Sequence, residues 1–512
     1  MPTSFINQGI KFISKTKHLQ KFENFIIFCL SIIILSILNL PVWKDFMHSE
    51  DLYALGLYSN NNNHLLATIF SSFGNLFFRP SDLLWGIAIE SIFDGNPNIL
   101  RVINLLLTCL TIVLLNIILN KLKISKQARY LGIVFFIFSK VHFTTIGYLS
   151  SYEVITTTIH QQLTLLFLII GVDYKNNIRK INWNFYLLSL FFFVITVLSR
   201  DTSFLFIITI TFFVFFAKNQ ERGRFKKIFF LIAPYFAIIL GYIVLRYLIT
   251  GVQGFGISNN NYYSIDIGLK DILNKLWIFA GNMFNLPFGY KESFGIGSIF
   301  SQLTRIGFKP SSITVLEYIY LGFGIFGVIF IFFKEVKNKK IILLPFSWIL
   351  ASFLPLFLIP TYRIYYLYAS YVGVSLVISF ILNEIKLNKL VLTITSIILI
   401  VNFLNLLVHN HRSTYYILTH RWTYKVAENG INKFISQNNK NEIESLTIIS
   451  SNTEVIDYVF NASPDNIFLK RVINPKVKFY VTNNTNLKLT KFSDLNPVYN
   501  FNENLSFEKV EL

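Results

Sequence analysis

What most limits the fold of this chain is a recurrence of apolar runs, each long enough for a hydrocarbon layer about 30 Å thick, separated by short basic gaps. Eleven are readable: Phe25–Val42, Val102–Leu119, Tyr130–Ile146, Thr157–Val172, Trp183–Leu198, Thr202–Phe216, Ile228–Ile249, Val315–Phe333, Ile341–Ile359, Tyr365–Leu382 and Leu390–Val408. With 53% hydrophobic and 14% charged residues over 512 positions, the chain reads as an all-α polytopic membrane protein. No small-residue cleavage site follows the first run and many more runs come after it, so it reads as a retained signal anchor.

A formal charge of +19 gathered in one patch would point to nucleic acid. Here the cations instead fill alternate gaps: Lys11, Lys15, Lys17 and Lys21; Lys121, Lys123, Lys126 and Arg129; Lys175, Arg179 and Lys180; Lys218, Arg222, Arg224, Lys226 and Lys227; Lys334, Lys337, Lys339 and Lys340; Lys386 and Lys389. The positive-inside rule makes these gaps cytoplasmic. A count of eleven helices puts every one of them on the same side, with the N-terminus inside and the C-terminus outside. The partners this implies are membrane lipids and no nucleic acid. Cys29 and Cys109 both fall inside apolar runs, which leaves no disulfide framework and no cysteine metal site.

This topology gives the outer face the long segments: outer loops at 43–101 and 250–314, and everything after His409. Residues 1–409 form the membrane domain, and residues 410–512 a small extracytoplasmic α/β or β-rich domain with runs such as "SLTIIS" and "VKFYV" and a helical "YKVAENGINKFISQ". In the second outer loop, "SIDIGLKDILNKLWIFAGNMFNLPFGY" repeats apolar residues at helical spacing, fitting a helix on the outer leaflet or one packed on the bundle. A chain that concentrates its polar sequence on one face is expected to act there.

The stretch "KDFMHSEDLYALGLYSNN" follows the first run and holds Asp45, His48, Glu50 and Asp51. A carboxylate before a helix start can be an N-cap, and Glu50 is open to that reading. The adjacent pair, with Asp45, exceeds what a cap needs, and close carboxylates push their pKa values apart so that one can act as a general base. A further acid, Glu153, falls in the short loop "YLSSYEV"; with Asp51 it offers oxygen ligands for a divalent cation, Mg or Mn. Three outer-face arginines, Arg79, Arg200 and Arg363, each lie near a helix end. Singly each is open to snorkelling; together they suit bidentate binding of a phosphate or pyrophosphate head group. Arg200 beside Asp201 is equally open to an ion pair. Lys140 and His142, at the outer end of the third run, are open to structural and functional readings alike.

The segment "RPSDLLWGIAIESIFDGNPNILRVINLLL", Arg79 to Leu107, resembles the first outer loop and second helix of GT-C membrane glycosyltransferases. The likeness is to the branch of protein O-mannosyltransferases and their tetratricopeptide-bearing relatives. It rests on Arg79-Pro80, Gly95-Asn96-Pro97, Asn104, the acidic pair Glu50-Asp51, and Arg363 with Tyr366. Glu50 departs from the Asp usual at the first position of the pair, no tetratricopeptide repeats follow, and Glu153 matches the second acidic motif loosely. The resemblance implies a hexosyltransferase in which a polyprenyl-phosphate sugar donor meets a glycan, lipid or protein acceptor at the outer leaflet, with inversion. Asp51 is then the expected base, with Glu50 or Asp45 next, and Arg363, Arg200 and Arg79 hold the donor phosphate. A bias toward Asn, Lys, Ile and Phe suits the plasma (inner) membrane of a bacterium. A lipid-linked oligosaccharide ligase or polymerase shares these features; a lipid or solute transporter is disfavoured by the lack of an inverted repeat.

Overall fold

The computed structural model describes residues 3–44, 69–70, 78–93, 96–148, 151–172, 181–217, 224–251, 339–358, 364–384, 395–407, 445–450, 478–482, 498–501 and 507–510, with single positions between 272 and 285 and at 393 and 410. Asp45, His48, Glu50, Asp51, Arg363, the run Val315–Phe333, most of the expected amphipathic helix and the "YKVAENGINKFISQ" helix lie outside the described residues.

The described membrane part is helical: α1 Thr3–Leu38, α2 Pro80–Phe93, α3 Pro97–Lys121, α4 Lys126–Ile137, α5 Val141–Gly147, α6 Tyr152–Gly171, α7 Trp183–Ser199, α8 Ile207–Ala217, α9 Arg224–Thr250, α10 Lys339–Leu358, α11 Tyr368–Glu384 and α12 Thr395–Leu407. Short 3₁₀ turns, Ser203–Phe206 and Ile364–Leu367, lead into α8 and α11. Among the described residues five helices are long and apolar enough to span a membrane, six if the bent pair α4–α5 counts as one span, so length and composition make this a multi-pass membrane protein. Shorter apolar helices include α7 and α12.

Local chemistry sets the boundaries. The "GNP" turn starts α3: the Asn96 side chain accepts from the backbone of Asn98 at 3.0 Å and Ile99 at 3.4 Å, and Pro97 fills the first turn, where no N–H is needed. At the far end Lys123 takes a left-handed conformation (φ 64°), which turns the chain into α4.

The run expected over Tyr130–Ile146 is broken, with α4 and α5 meeting at 58°. The backbone groups freed by the break find side-chain partners: Asn285 accepts from the Lys140 N–H at 2.8 Å and donates to the Phe138 carbonyl at 2.5 Å, and the His142 Nε2 lies 2.7 Å from the Phe136 carbonyl. A break this deep is tolerated because protein side chains replace the missing helix bonds.

The core draws on α1 and on α3 through α11. Trp348 is buried, donating to the Ala369 carbonyl at 2.9 Å and meeting Phe206 edge-on at 4.7 Å. At one end of the bundle Arg129 joins three helices, reaching Glu23 of α1 at 3.3 Å and Asn116 of α3 at 3.1 Å. In contrast α9 exposes Phe229, Phe230, Phe236, Leu240, Val244 and Leu248, a surface suited to lipid tails.

Four strands, β1 Ser445–Ser450, β2 Lys478–Thr482, β3 Val498–Phe501 and β4 Phe507–Val510, form a sheet in the order β2-β1-β3-β4. The strand β1 is the "SLTIIS" run and β2 falls in "VKFYV". Both β2 and β3 run parallel to β1, and β4 pairs antiparallel with β3. Parallel neighbours require crossover connections rather than tight hairpins.

Candidate functional site

The starts of α2 and α6, the ends of α7 and α9 and the turn before α11 converge on one buried group of charges. Arg79 directly precedes Pro80, the first residue of α2, and Asp82 lies in that helix's first turn, where a carboxyl is favoured by free N–H groups. The Arg79 carbonyl accepts from the Asp82 N–H at 3.1 Å, and the Tyr152 hydroxyl donates to the Asp82 carbonyl at 3.1 Å. Asp82 is therefore held by its own turn and by α6.

Glu153 is not in a loop as the sequence suggested; α6 begins at Tyr152, ahead of the apolar run, and Glu153 occupies its first turn. Through "TTT" the hydroxyls are satisfied by turning back onto the helix itself, as where Thr157 donates to the Glu153 carbonyl at 2.6 Å. The corner before it is fixed by Asn104, which donates to the carbonyls of Thr145 at 3.2 Å and Tyr148 at 3.0 Å, and by the Ser151 hydroxyl, which donates to the Tyr148 carbonyl at 2.6 Å.

Arg200 ends α7 in an extended conformation (φ −147°, ψ 139°), so Arg200 and Asp201 point to different sides. Asp201 does not pair with its neighbour. Its carboxylate receives Arg246 Nε at 3.2 Å, Arg79 Nε at 3.5 Å and the Tyr242 hydroxyl at 2.6 Å. That hydroxyl also lies 3.3 Å from the Phe78 carbonyl, which ties α9 to the chain just before Arg79. Arg79 completes its pairing on Glu153 at 2.9 Å.

Arg200 instead lies over the Tyr366 ring, with its guanidinium carbon 4.9 Å from the centroid. Among the described residues it forms no ion pair, and its buried Nε has no hydrogen-bond partner. Counted among the described residues, three guanidiniums (Arg79, Arg200, Arg246) meet three carboxyls (Asp82, Glu153, Asp201), and Arg200 is the cation left over from direct pairing.

Burial pushes the Asp82 carboxyl well above the usual carboxylate range, and the charge and hydrogen bond of Glu153 push it further; Arg79 and Arg200 oppose the shift without cancelling it. Burial pulls Arg79 downward, but Glu153, Asp201 and Asp82 outweigh it and hold the guanidinium firmly charged.

Of the site residues expected from sequence, Arg79, Arg200 and Glu153 thus come together, while Asp45, Glu50, Asp51 and Arg363 lie outside the described residues. Arg79 acts as an internal counter-ion between two carboxylates, which sets it apart from Arg200. Sequence reasoning missed Asp82, Tyr242 and Arg246. Arg246 carried a usable signal, being an arginine near the end of an apolar helix, as Arg200 is. Among the described residues no group of three or more His, Cys, Asp or Glu is placed to hold a metal ion, and a guanidinium already balances Glu153.

No protein-family model and no curated protein sequence matches the chain. A solved structure with a resembling backbone is the Archaeoglobus fulgidus oligosaccharyltransferase tethered with an acceptor peptide containing the NVT sequon, at TM-score 0.49 and 13% identity, covering 90% of this chain and 64% of that one. At those values the likeness fixes neither family nor activity.

Proposed function

We propose that this protein is a membrane glycosyltransferase of the GT-C kind. It transfers a sugar from a polyprenyl-phosphate donor to an acceptor hydroxyl on the extracytoplasmic face of a bacterial plasma membrane. The observation that carries the reading is Arg200: a half-buried guanidinium that rests on Tyr366 and, among the described residues, has no anion paired with it. A buried cation is costly unless paired, and a guanidinium recognises phosphate oxygens in a fork. A lipid-linked phosphate at the bilayer rim supplies that pairing. Eleven spans with the N-terminus inside would set this cluster at the outer leaflet.

In the proposed reaction Asp51 takes the proton of the acceptor hydroxyl, with Glu50 or Asp45 next in line. The acceptor oxygen forms its bond to the anomeric carbon as the carbon–oxygen bond to phosphate breaks, and the electron pair leaves on the phosphate oxygen. Arg200 and Arg363 stabilise the growing charge, and Arg79 holds Glu153 and Asp201 in place. A divalent cation between Asp51 and Glu153 would have to displace Arg79 from Glu153.

The test is transfer of labelled sugar from a polyprenyl-phosphate donor by membranes carrying wild type, Asp51→Asn, Arg363→Ala or Arg200→Gln, with folded protein quantified in parallel. Wild type is expected to consume donor, Asp51→Asn to lose about 10²- to 10⁴-fold, as for removal of a general base, and Arg200→Gln about 10²-fold. Full activity in Arg200→Gln would remove the guanidinium from the mechanism, and no donor consumption by wild type would remove the reaction.

A further inference from the structure

We propose that Asp82 is a specificity-determining residue whose carboxyl receives a hydroxyl of the sugar being transferred, beside the phosphate held by Arg200. This rests on the glycosyl-transfer reading above and adds to it a role for a residue with no other task in that reaction.

Asp82 is 6% exposed, and its carboxyl shares one hydrogen bond with Glu153. Its Oδ1 is buried and, among the described residues, has no hydrogen-bond partner. An orphaned oxygen of this kind is unusual in a folded protein, because it has given up water for nothing. It cannot relax toward solvent, since its backbone is pinned by Tyr152 and by the first turn of α2. The other two carboxyls of the cluster have partners: Glu153 has Arg79 and Asp82, and Asp201 has Arg79, Arg246 and Tyr242. Among the described residues the Asp201 Oδ2 also lacks a hydrogen bond, but it faces Arg79 Nε at 3.5 Å, which leaves the Asp82 Oδ1 as the buried carboxyl oxygen of the cluster with neither a hydrogen bond nor an ion pair.

Its neighbour defines the ligand. Arg200 is close enough to act electrostatically on both Asp82 and Glu153, and among the described residues its buried Nε also has no hydrogen-bond partner. The pair therefore presents a planar cation for an oxyanion and, next to it, an acceptor for a hydroxyl. A glycosyl phosphate carries those two groups within one residue of each other, its phosphate on the anomeric carbon and its hydroxyls around the ring. A carboxyl oxygen accepts a sugar hydroxyl in a short, directional bond, and Oδ1 has an acceptor lone pair whether or not the other oxygen holds a proton. Sites that use such a bond reject analogues lacking the hydroxyl, because the buried partner is then left unpaired.

The experiment uses full-length protein in lipid nanodiscs, with polyprenyl phosphoglucose and phosphomannose and their 2-, 3-, 4- and 6-deoxy analogues as donors. Donor-induced thermal stabilisation is followed alongside turnover. Wild type is expected to discriminate against one deoxy donor by about 10- to 100-fold in kcat/KM. Asp82→Ala is expected to slow the parent donor and to shrink that ratio to within about 3-fold, while Asp82→Asn, whose amide oxygen still accepts, keeps most of it. The discrimination is a ratio within one preparation, so partial misfolding of a variant cancels. A merely structural Asp82 would slow every donor alike and leave the ratio intact, which would overturn the proposal; so would a wild type that treats all deoxy donors as equals. If wild type neither binds nor consumes either donor, the glycosyl-transfer reading falls and this role with it; if it consumes them with the ratio unchanged in Asp82→Ala, only the sugar contact falls.

Discussion

Asp201 is the residue on which the cluster turns. It neutralises Arg246 and part of Arg79, and it accepts the Tyr242 hydroxyl. Asp201→Asn keeps the shape but leaves two buried guanidiniums short of a counter-charge, and breaking a buried pair typically costs about 3–5 kcal/mol. The purified variant should lose thermal stability by an amount of that order, whereas Tyr242→Phe, which forfeits a hydrogen bond to a charged group, should lose about 1.5–3 kcal/mol; equal, negligible losses would mean the pairs do not form. Asp82 adds a pH dependence. Its folded-state pKa lies above the ordinary 3.8, so the protonated form is the one favoured by folding. That contribution is complete below the ordinary value and is lost as pH rises through the raised one. Unfolding temperatures taken from about pH 4 upward should therefore fall less steeply in Asp82→Asn than in wild type. The sequence left Arg200 and Asp201 open to pairing with each other. Adjacency could not decide it, because in an extended backbone successive side chains diverge, and one of the partners Asp201 does take, Arg246, stands 45 positions away.

Among the elements, the α4–α5 break shows how far periodicity reaches. Apolar content located the run Tyr130–Ile146 but not the bend within it, since the groups that make the bend tolerable come from Asn285, 145 positions on. Glu153 was misplaced for a related reason: hydrophobicity marks where a helix enters the apolar layer, and α6 begins at Tyr152, before that layer is reached. A glycine governs the packing between α4 and α11. A Cβ at Gly132 would lie 2.8 Å from the Ser375 carbonyl oxygen and 2.0 Å from the Ser379 hydroxyl. The serine side chain can rotate away; the backbone oxygen cannot. Gly132→Val should therefore force the helices apart at a cost of about 1–3 kcal/mol or more, read as a lower unfolding temperature, and Gly132→Ala should fall between it and wild type. A Gly132→Val protein as stable as wild type would mean that α4 and α11 do not meet at this position.

At the scale of the whole molecule, the cluster gathers Arg79, Asp82, Glu153, Arg200, Asp201, Arg246 and Tyr366 from segments spread over most of the membrane domain. The kind of chain was readable from its hydropathy, because burying apolar helices in lipid is a property of composition; which charges meet was not, because that depends on helix packing. The chemistry proposed for the cluster also depends on which side of the membrane it faces. The basic gaps put the start of α3 outside and the turn between α3 and α4 inside. In a background with Cys29 and Cys109 replaced by serine, single cysteines at the exposed positions Asn98 and Gln127 flank α3 at its two ends. A membrane-impermeant maleimide applied to intact cells should label Asn98→Cys at once and Gln127→Cys after permeabilisation. The reverse pattern would place Arg79, Glu153 and Arg200 on the cytoplasmic side. A donor presented from the outer leaflet could not then reach Arg200, and the leaving phosphate would have to come from a carrier on the inner leaflet.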